Sequence, residues 1–397
     1  MVIRRSVYGP RSELLLNAGT VLNPRFIGLL RDRSVLAAYV DSGDDAELTA
    51  EMVSERVRTT IVLGLCQIYD LETRAFMQAA QAARVLQDEI ERVITSALAD
   101  PATIACLKIV RAFDSYQFVH ALDSTVVAVT IGRRLRLAPE RLVRIASGCL
   151  LHDYGMSAID PAIWNRPGPL TSEERVIMNQ HAQLGYDMLQ DQRPERLVEN
   201  SVALQHHEWQ DGNGYPRGLL GKNIAARGPS ARGNSGHILA DAEIVAVADV
   251  YEALSSDRPW RQALLPDVVS RTMHQLAGVH LNRELVSELL MLVTPFPLGA
   301  TVIVARGQHL YYRGIVTQVH REAMDRPTIR LVQNDRLEPI DAMDVDLRAT
   351  SEIIACIPPP GHDAAVEMTP EAEATLRQAS QAQKSQNSVK TESEPIP

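Results

Sequence analysis

This chain is short of cysteine, of excess positive charge and of long apolar runs, and each shortage excludes a class of protein. Its four cysteines, Cys66, Cys106, Cys149 and Cys356, are widely separated, with neither the close pairs of a zinc ligand set nor the density of a disulfide-stapled secreted domain. They read as core thiols in a reducing compartment. The formal net charge is -9, so the basic footprint that long nucleic acid requires is missing and long nucleic acid is excluded as a partner. Nothing approaches the run of about 20 apolar residues that crosses a bilayer as a helix. The apolar stretch 61–65 is far too short, and residues 1–5 lead into Tyr8, Gly9 and Pro10 rather than into an apolar leader segment. The expectation is no membrane span and a cytoplasmic location. Hydrophobic residues still make up 45% of the 397, ample for a sizeable core and for two or three domains.

Against these shortages stands a scattered set of histidines and aspartates: His120, His152, Asp153, His181, His206, His207 and Asp249. Adjacent His-Asp and His-His pairs supply ring nitrogens plus a bridging oxygen, which two divalent transition metals held a few ångströms apart require. A lone histidine on an apolar helix face is more often a hydrogen-bonded core residue, so the argument rests on placement. In 137–155 the apolar residues Leu142, Ile145, Ala146, Cys149 and Leu150 recur at helical spacing, and the next turn of that inward stripe carries His152 and Asp153. Gly155 follows as a helix stop, which puts the pair at a helix C-terminus.

The same logic repeats downstream. Thr171 to Glu174 reads as a capping box, and Ile177, His181, Gly185 and Leu189 fall on one helical face, aiming His181 inward. A further helix closes at His206 and His207, and residues 211–216 after it form a loop whose glycines allow close backbone approach to a ligand. Asp249 lies in the apolar run 244–251, where an unpaired carboxylate is expensive to bury. A metal would offset that cost; so would an arginine or a backbone partner, and the sequence points to neither.

Leu151-His152-Asp153, the segment 165–171 with Glu174, His181 with Gly185, and His206-His207-Glu208 leading to Gly214-Tyr215-Pro216 follow one another in order. Residues 248–254 and then Asp257-Arg258-Pro259-Trp260-Arg261 complete the series. Over roughly 112–290 the chain thereby resembles the HD-GYP subgroup of the HD-domain phosphohydrolases, whose members hydrolyse the bacterial second messenger cyclic di-GMP.

The resemblance implies a mainly α fold, an HD-domain helical bundle, and roles for its residues. Asp153 bridges two divalent metals; His120, His152 and Asp249 complete one shell, and His181, His206 and His207 the other. Iron or manganese is the first expectation because imidazole-rich sites with few carboxylates and no thiolate suit them, and zinc is admitted by the same donors. A metal-bridging hydroxide would attack phosphorus in line and the sugar O3′ would leave, giving linear pGpG and/or GMP. Arg258 and Arg261 match phosphate-binding positions, a task suited to guanidinium geometry. The Gly214-Tyr215-Pro216 loop would shape the substrate cleft and offer a surface to partners such as GGDEF-type signalling proteins.

Three departures from the family pattern bear on activity. Met156 stands where a lysine usually contacts a substrate phosphate, a loss worth a factor on the order of a hundred or more. Tyr116 stands where some members carry a glutamate for a third metal, which argues for two. An insertion at about 225–237, rich in glycine, arginine and serine, has the composition of a loop beside the site. The competing readings are a slow or inactive metal-bound relative acting as a cyclic di-GMP-binding or protein-interaction module, and a phosphohydrolase of another nucleotide.

The flanks suggest five segments: a small α/β N-terminal cap (1–44), a helical regulatory or linker region (45–105), the phosphohydrolase domain (106–296), a small β-domain (297–357) and a disordered tail (358–397). Within the cap, strands are expected at 14–22 and 37–40 with a helix at 24–31. The linker has Val53, Val57, Ile61, Leu65, Ile68, Val85, Ile90 and Ile94 as candidate face residues, for signal transmission, a homodimer contact or plain packing. In the β-domain, strands are expected at 300–304, 313–319 and 328–332. The tail is rich in Gln, Glu, Ser and Ala with few large apolar residues.

Overall fold

The fold is that of a computed structural model. It describes residues 115–358 apart from 165–169, 226–235 and 258–261, together with residues 2–3, 7–8, 14–16, 20–23, 25–26, 40–41, 90, 92–97, 99, 103 and 106.

Among the described residues, eight helices of two turns or more build the central unit: α1 (Ser115–Arg134), α2 (Pro139–Leu150), α3 (Ser172–Asn179), α4 (His181–Gln192), α5 (Leu197–Gln205), α6 (Ala240–Ser255), α7 (Pro266–Leu276) and α8 (Arg283–Leu290). Local chemistry sets many of their ends. Proline opens α2 and α7, where its missing N–H costs nothing and its fixed φ suits the first turn. The expected capping box opens α3: Glu174 N donates to Thr171 Oγ1 at 3.2 Å, and Thr171 N donates to Glu174 Oε2 at 2.7 Å. Asn282 caps α8 by accepting from the backbone N–H groups of Glu284 and Leu285.

Helix α6 is the axis of the unit. Ile244 to Asp249 are all buried, and the helix packs against α1, α2, α5, α7 and α8. One apolar cluster joins Ile131, Leu142, Ile145, Val247, Met273 and Leu285. A second joins Phe118 and Leu122 of α1 to Leu150, Leu151 and Leu189, and Ile90 and Ile94 from the preceding segment pack into it. Both isoleucines thus face the core as their spacing suggested; residues 53–85 lie outside the described residues.

One expected face is corrected. Ile177 does not share the inward stripe of His181, Gly185 and Leu189, because the helix breaks at Gln180 into α3 and α4. Helix α3 lies on the outside and buries no residue, so Ile177 is 40% exposed.

A five-stranded antiparallel sheet follows, of β5 (Thr301–Arg306), β6 (Arg313–His320), β7 (Ala323–Gln333), β8 (Pro339–Asp346) and β9 (Ile353–Cys356) in the order β8-β7-β6-β5-β9, after short N-terminal strands β1 to β4. Its core is Val302, Val304, Val316, Ile329, Leu331, Val345 and Ile354. Sequence periodicity anticipated β5, β6 and part of β7 but neither edge strand. Strand β8 is exposed along most of its length and carries Asp341, Asp344 and Asp346, so the alternation that marks a half-buried strand is absent. Strand β9 is only four residues long.

At the N-terminus β1 (Val2–Ile3) pairs with β4 (Val40–Asp41) and β2 (Val7–Tyr8) with β3 (Leu14–Leu16), both antiparallel. Residues 25–26 are helical; most of the expected cap and linker, and residues 359–397, lie outside the described residues. Both ends of the 225–237 insertion are anchored: Ala225 N donates to Glu284 Oε2 at 2.8 Å, and Leu220 N donates to Gly236 O at 3.1 Å. No described helix is long and apolar enough to cross a membrane.

The 3₁₀ turn Tyr154–Ala158 lies directly on α4, backbone against backbone. A Cβ on Gly155 would sit 2.0 Å from the carbonyl oxygen of His181 and 2.5 Å from the nitrogen of Gly185. Gly155→Ala should therefore force α4 away and destabilise the unit by about 1–3 kcal/mol, a fall in Tm of at least about 2 °C. Thermal denaturation tests this, and an unchanged Tm would show that the two segments separate without cost.

Candidate metal centre

Five helices deliver side chains to one buried point. His120 comes from the middle of α1, His152 and Asp153 from the turn after α2, and His181 from the first residue of α4. His206 caps the C-terminus of α5, His207 follows it, and Asp249 lies within α6. The helix ends matter because a residue just beyond the last turn can reach carbonyls that the helix leaves unpaired. His152 Nδ1 donates to Cys149 O at 2.7 Å, His181 Nδ1 to Met178 O at 2.7 Å, and His206 Nδ1 to Ala203 O at 2.9 Å. A carbonyl only accepts, so each Nδ1 carries a proton, and each ring turns its Nε2 toward the centre.

Asp153 faces two groups of imidazoles with its two oxygens. Oδ1 lies 3.5 Å from both His181 Nε2 and His206 Nε2, while Oδ2 lies 3.4 Å from His152 Nε2 and 3.9 Å from His120 Nε2. Asp249 Oδ1 adds to the second group, 3.0 Å from His120 Nε2 and 3.9 Å from His152 Nε2. Ligand-type atoms of Asp153, His181, His206 and His207 lie within 4.8 Å of one another, as do those of His120, His152 and Asp153. All seven expected ligands thus come together around a shared carboxylate.

The donors fit cations. His181 Nε2 and His206 Nε2 stand 3.3 Å apart while both Nδ1 atoms are taken up by backbone carbonyls, so the two Nε2 atoms sit together only across a shared positive charge. His152 Nε2 is buried and makes no hydrogen bond. Electrostatics agree. Burial alone would raise the Asp153 and Asp249 carboxyls, yet the surrounding imidazoles hold both well below the usual carboxylate range. Burial alone would lower His120, but Glu252 and Asp249 outweigh it and raise the ring to about 10; Asp153 and the Cys149 side chain do the same for His152, raising it to about 9. Burial, reinforced by neighbouring imidazoles, pushes His181 and His207 down. The carboxylates require positive charge, which divalent cations supply in exchange for protons.

Two residues of this site escaped sequence reasoning. Glu252, one turn after Asp249 on α6, is buried and its carboxylate accepts from His120 Nδ1. The signal was an acid three residues after Asp249 in an otherwise apolar run. Glu208 accepts from the backbone N–H groups of Arg217 and Leu219, both at 2.7 Å, and so folds the 211–220 loop back toward the histidine pair.

Other candidates fare differently. Tyr215 stacks on His207, ring centroids 4.8 Å apart and planes 27° apart, while Pro216 is exposed. Met156 is 3% exposed, packed with Ile159 against Ile163, Met178 and Leu184. Arg258, Arg261 and the side chain of Tyr116 lie outside the described residues.

Residues 109–285 match the family model described as HD domain. That part of the chain is similar to HD domains. Among its relatives is a cyclic di-GMP phosphodiesterase of Pseudomonas aeruginosa, 30% identical over 66% of this chain and 58% of the relative. The cyclic di-GMP phosphodiesterase response regulator RpfG of Xanthomonas campestris is 34% identical over 41% of this chain and 40% of its own length. The 3′3′-cGAMP-specific phosphodiesterase 3 of Vibrio cholerae is 28% identical over 57% of this chain and 44% of its own. The chain spans less than two thirds of the length of each of these relatives.

Glu252→Ala should leave His120 free to rotate away from the centre. The expected result is a loss of divalent-cation affinity of about 10- to 100-fold, read by competition with a chromogenic chelator. Unchanged affinity would remove Glu252 from the site.

Proposed function

We propose that the HD domain is a metal-dependent phosphodiesterase that hydrolyses cyclic di-GMP to linear pGpG and/or GMP. The observation that carries this reading is the Asp153 carboxylate, whose two oxygens address two separate sets of imidazoles. Two relatives named as cyclic di-GMP phosphodiesterases support the substrate. His120, His152 and Asp249 would hold one cation, His181, His206 and His207 the other, and Asp153 both. Five imidazoles and two carboxylates without a thiolate suit iron or manganese, and also admit zinc. When bound, such a pair supplies Lewis-acid stabilisation of phosphoryl oxygens and an activated water.

The chain's own residues do the rest. The Asp153 and Asp249 carboxylates would share in holding the cations, and the carbonyl-anchored rings are already oriented to bind them without reorganisation. Arg258 and Arg261 would neutralise the substrate phosphates, and Gly214, Tyr215 and Pro216 would border the cleft. The same loop is the proposed surface for a GGDEF-type or other signalling partner in the bacterial cytoplasm, with the segment before α1 available for a homodimer contact.

The test is anaerobic turnover of cyclic di-GMP by protein loaded separately with iron, manganese and zinc, with 3′3′-cGAMP as competing substrate. Linear dinucleotide or GMP should form at two bound metals per chain, and Asp153→Ala, once shown to be folded, should lose that activity. No product at two bound metals would favour the second reading, a slow or inactive binding module. Met156 is the observation behind that alternative, since the position that holds a lysine in the family is sealed in an apolar cluster. Burying an ammonium there is costly, so Met156→Lys should lower Tm and change the rate by less than about tenfold. A gain of about a hundredfold in steady-state turnover would instead favour the slow-relative reading.

A further inference from the structure

Of the four histidines grouped around the second half of the centre and its border, His207 is held differently. His152, His181 and His206 each anchor Nδ1 on a backbone carbonyl of the preceding turn. The ring of His207 makes no hydrogen bond to any described residue, and it lies beyond the end of α5, outside the helix that orients His206. What fixes it is ring packing. Tyr215 stacks on one face at 4.8 Å, His181 meets it edge-on at 5.0 Å, and His206 tilts against it at 4.1 Å.

The loop that carries Tyr215 is built to keep that ring in place. Tyr215 N donates to His207 O at 3.1 Å, which ties the two stacked residues together through their backbones. Gly214 makes the approach feasible, since a Cβ there would lie 2.3 Å from Trp209 N and 2.5 Å from His207 O. Beyond Pro216, Glu208 accepts from Arg217 N and Leu219 N and closes the loop on the same backbone. Each device acts on residues 207–209.

We infer that the Gly-Tyr-Pro loop is a brace for His207, with Tyr215 a positioning residue that orients this imidazole toward the cation shared with His181, His206 and Asp153. Stacking takes the place of the missing carbonyl anchor: a flat ring against the imidazole face restricts its rotation while leaving both ring nitrogens in plane and free to bind. The inference rests on the two-cation reading and gives the motif a task distinct from contact with substrate.

The experiment compares the wild-type protein with Tyr215→Phe, Tyr215→Leu, His207→Ala and the double variant Tyr215→Leu/His207→Ala. Each is loaded with manganese, dialysed against a graded series of a weak chelator and analysed for metal per chain, with KM and kcat for cyclic di-GMP measured in parallel. Tyr215→Phe keeps the ring and should hold two equivalents. Tyr215→Leu should hold one equivalent as tightly as wild type and the other at least tenfold more weakly. His207→Ala should lose the same equivalent, and the double variant should lose no more than His207→Ala. Two equivalents at wild-type affinity in Tyr215→Leu would overturn the brace, as would a rise in KM alone with both metals in place, which would make Tyr215 a substrate contact. Fewer than two equivalents in the wild-type protein would overturn the two-cation reading itself, and the brace with it. Should Tyr215→Leu not fold, Tyr215→Met, of similar bulk and without a ring, takes its place under the same criteria.

Discussion

The carboxylate of Asp153, half-buried between two sets of imidazoles, is the interaction on which the arrangement of the whole domain turns. Burying an anion is costly unless positive charge surrounds it, and four Nε2 atoms lie within 4 Å of its two oxygens. Four donors from separate helices can converge on one carboxylate only if those helices end or pass there. This accounts for the short α2, α4 and α5, which start or stop at the centre, and for the longer α1 and α6, which run through it.

Helix α6 supplies rigidity to that convergence. Buried on nearly every side, it brings Asp249 to His120 Nε2 and Glu252 to His120 Nδ1, so a single helix grips both nitrogens of one ring. On the other side the turn after α2 lies against α4 with no room for a side chain at Gly155, which ties the position of His152 and Asp153 to that of His181. The outer limb of the site is the loop after α5, held by Glu208 and the Tyr215 stack rather than by a helix. The centre is thus gripped by core helices on one side and by a braced loop on the other.

Much of the site was legible before any coordinates. His152, Asp153, His181 and Asp249 sit on or just beyond the inward stripes of amphipathic helices, and local periodicity alone aims such residues at the interior. Ile177 broke the pattern because a helix can end within a stripe that continues in sequence, and no local signal marked Gln180 as the break. Strand β8 was invisible for a related reason: an edge strand protected by aspartates is exposed on both faces and loses the period-two alternation. Glu252 and Glu208 went unnoticed because an acid near a helix end is ordinarily solvated, and only burial shows that these two serve the centre.

The sequence alone determined several helix ends, which residue types could bind cations, and the HD-GYP likeness of the middle of the chain, since propensity, capping and apolar spacing act over a few residues. Only the tertiary structure decided which imidazoles meet which oxygen of Asp153, that Glu252 grips His120 across 132 residues of chain, and that Tyr215 stacks on His207. Those pairings depend on how α1, α4, α5 and α6 pack around a common core. Packing is settled by the shape and burial of many distant side chains at once, which no local stretch of sequence records.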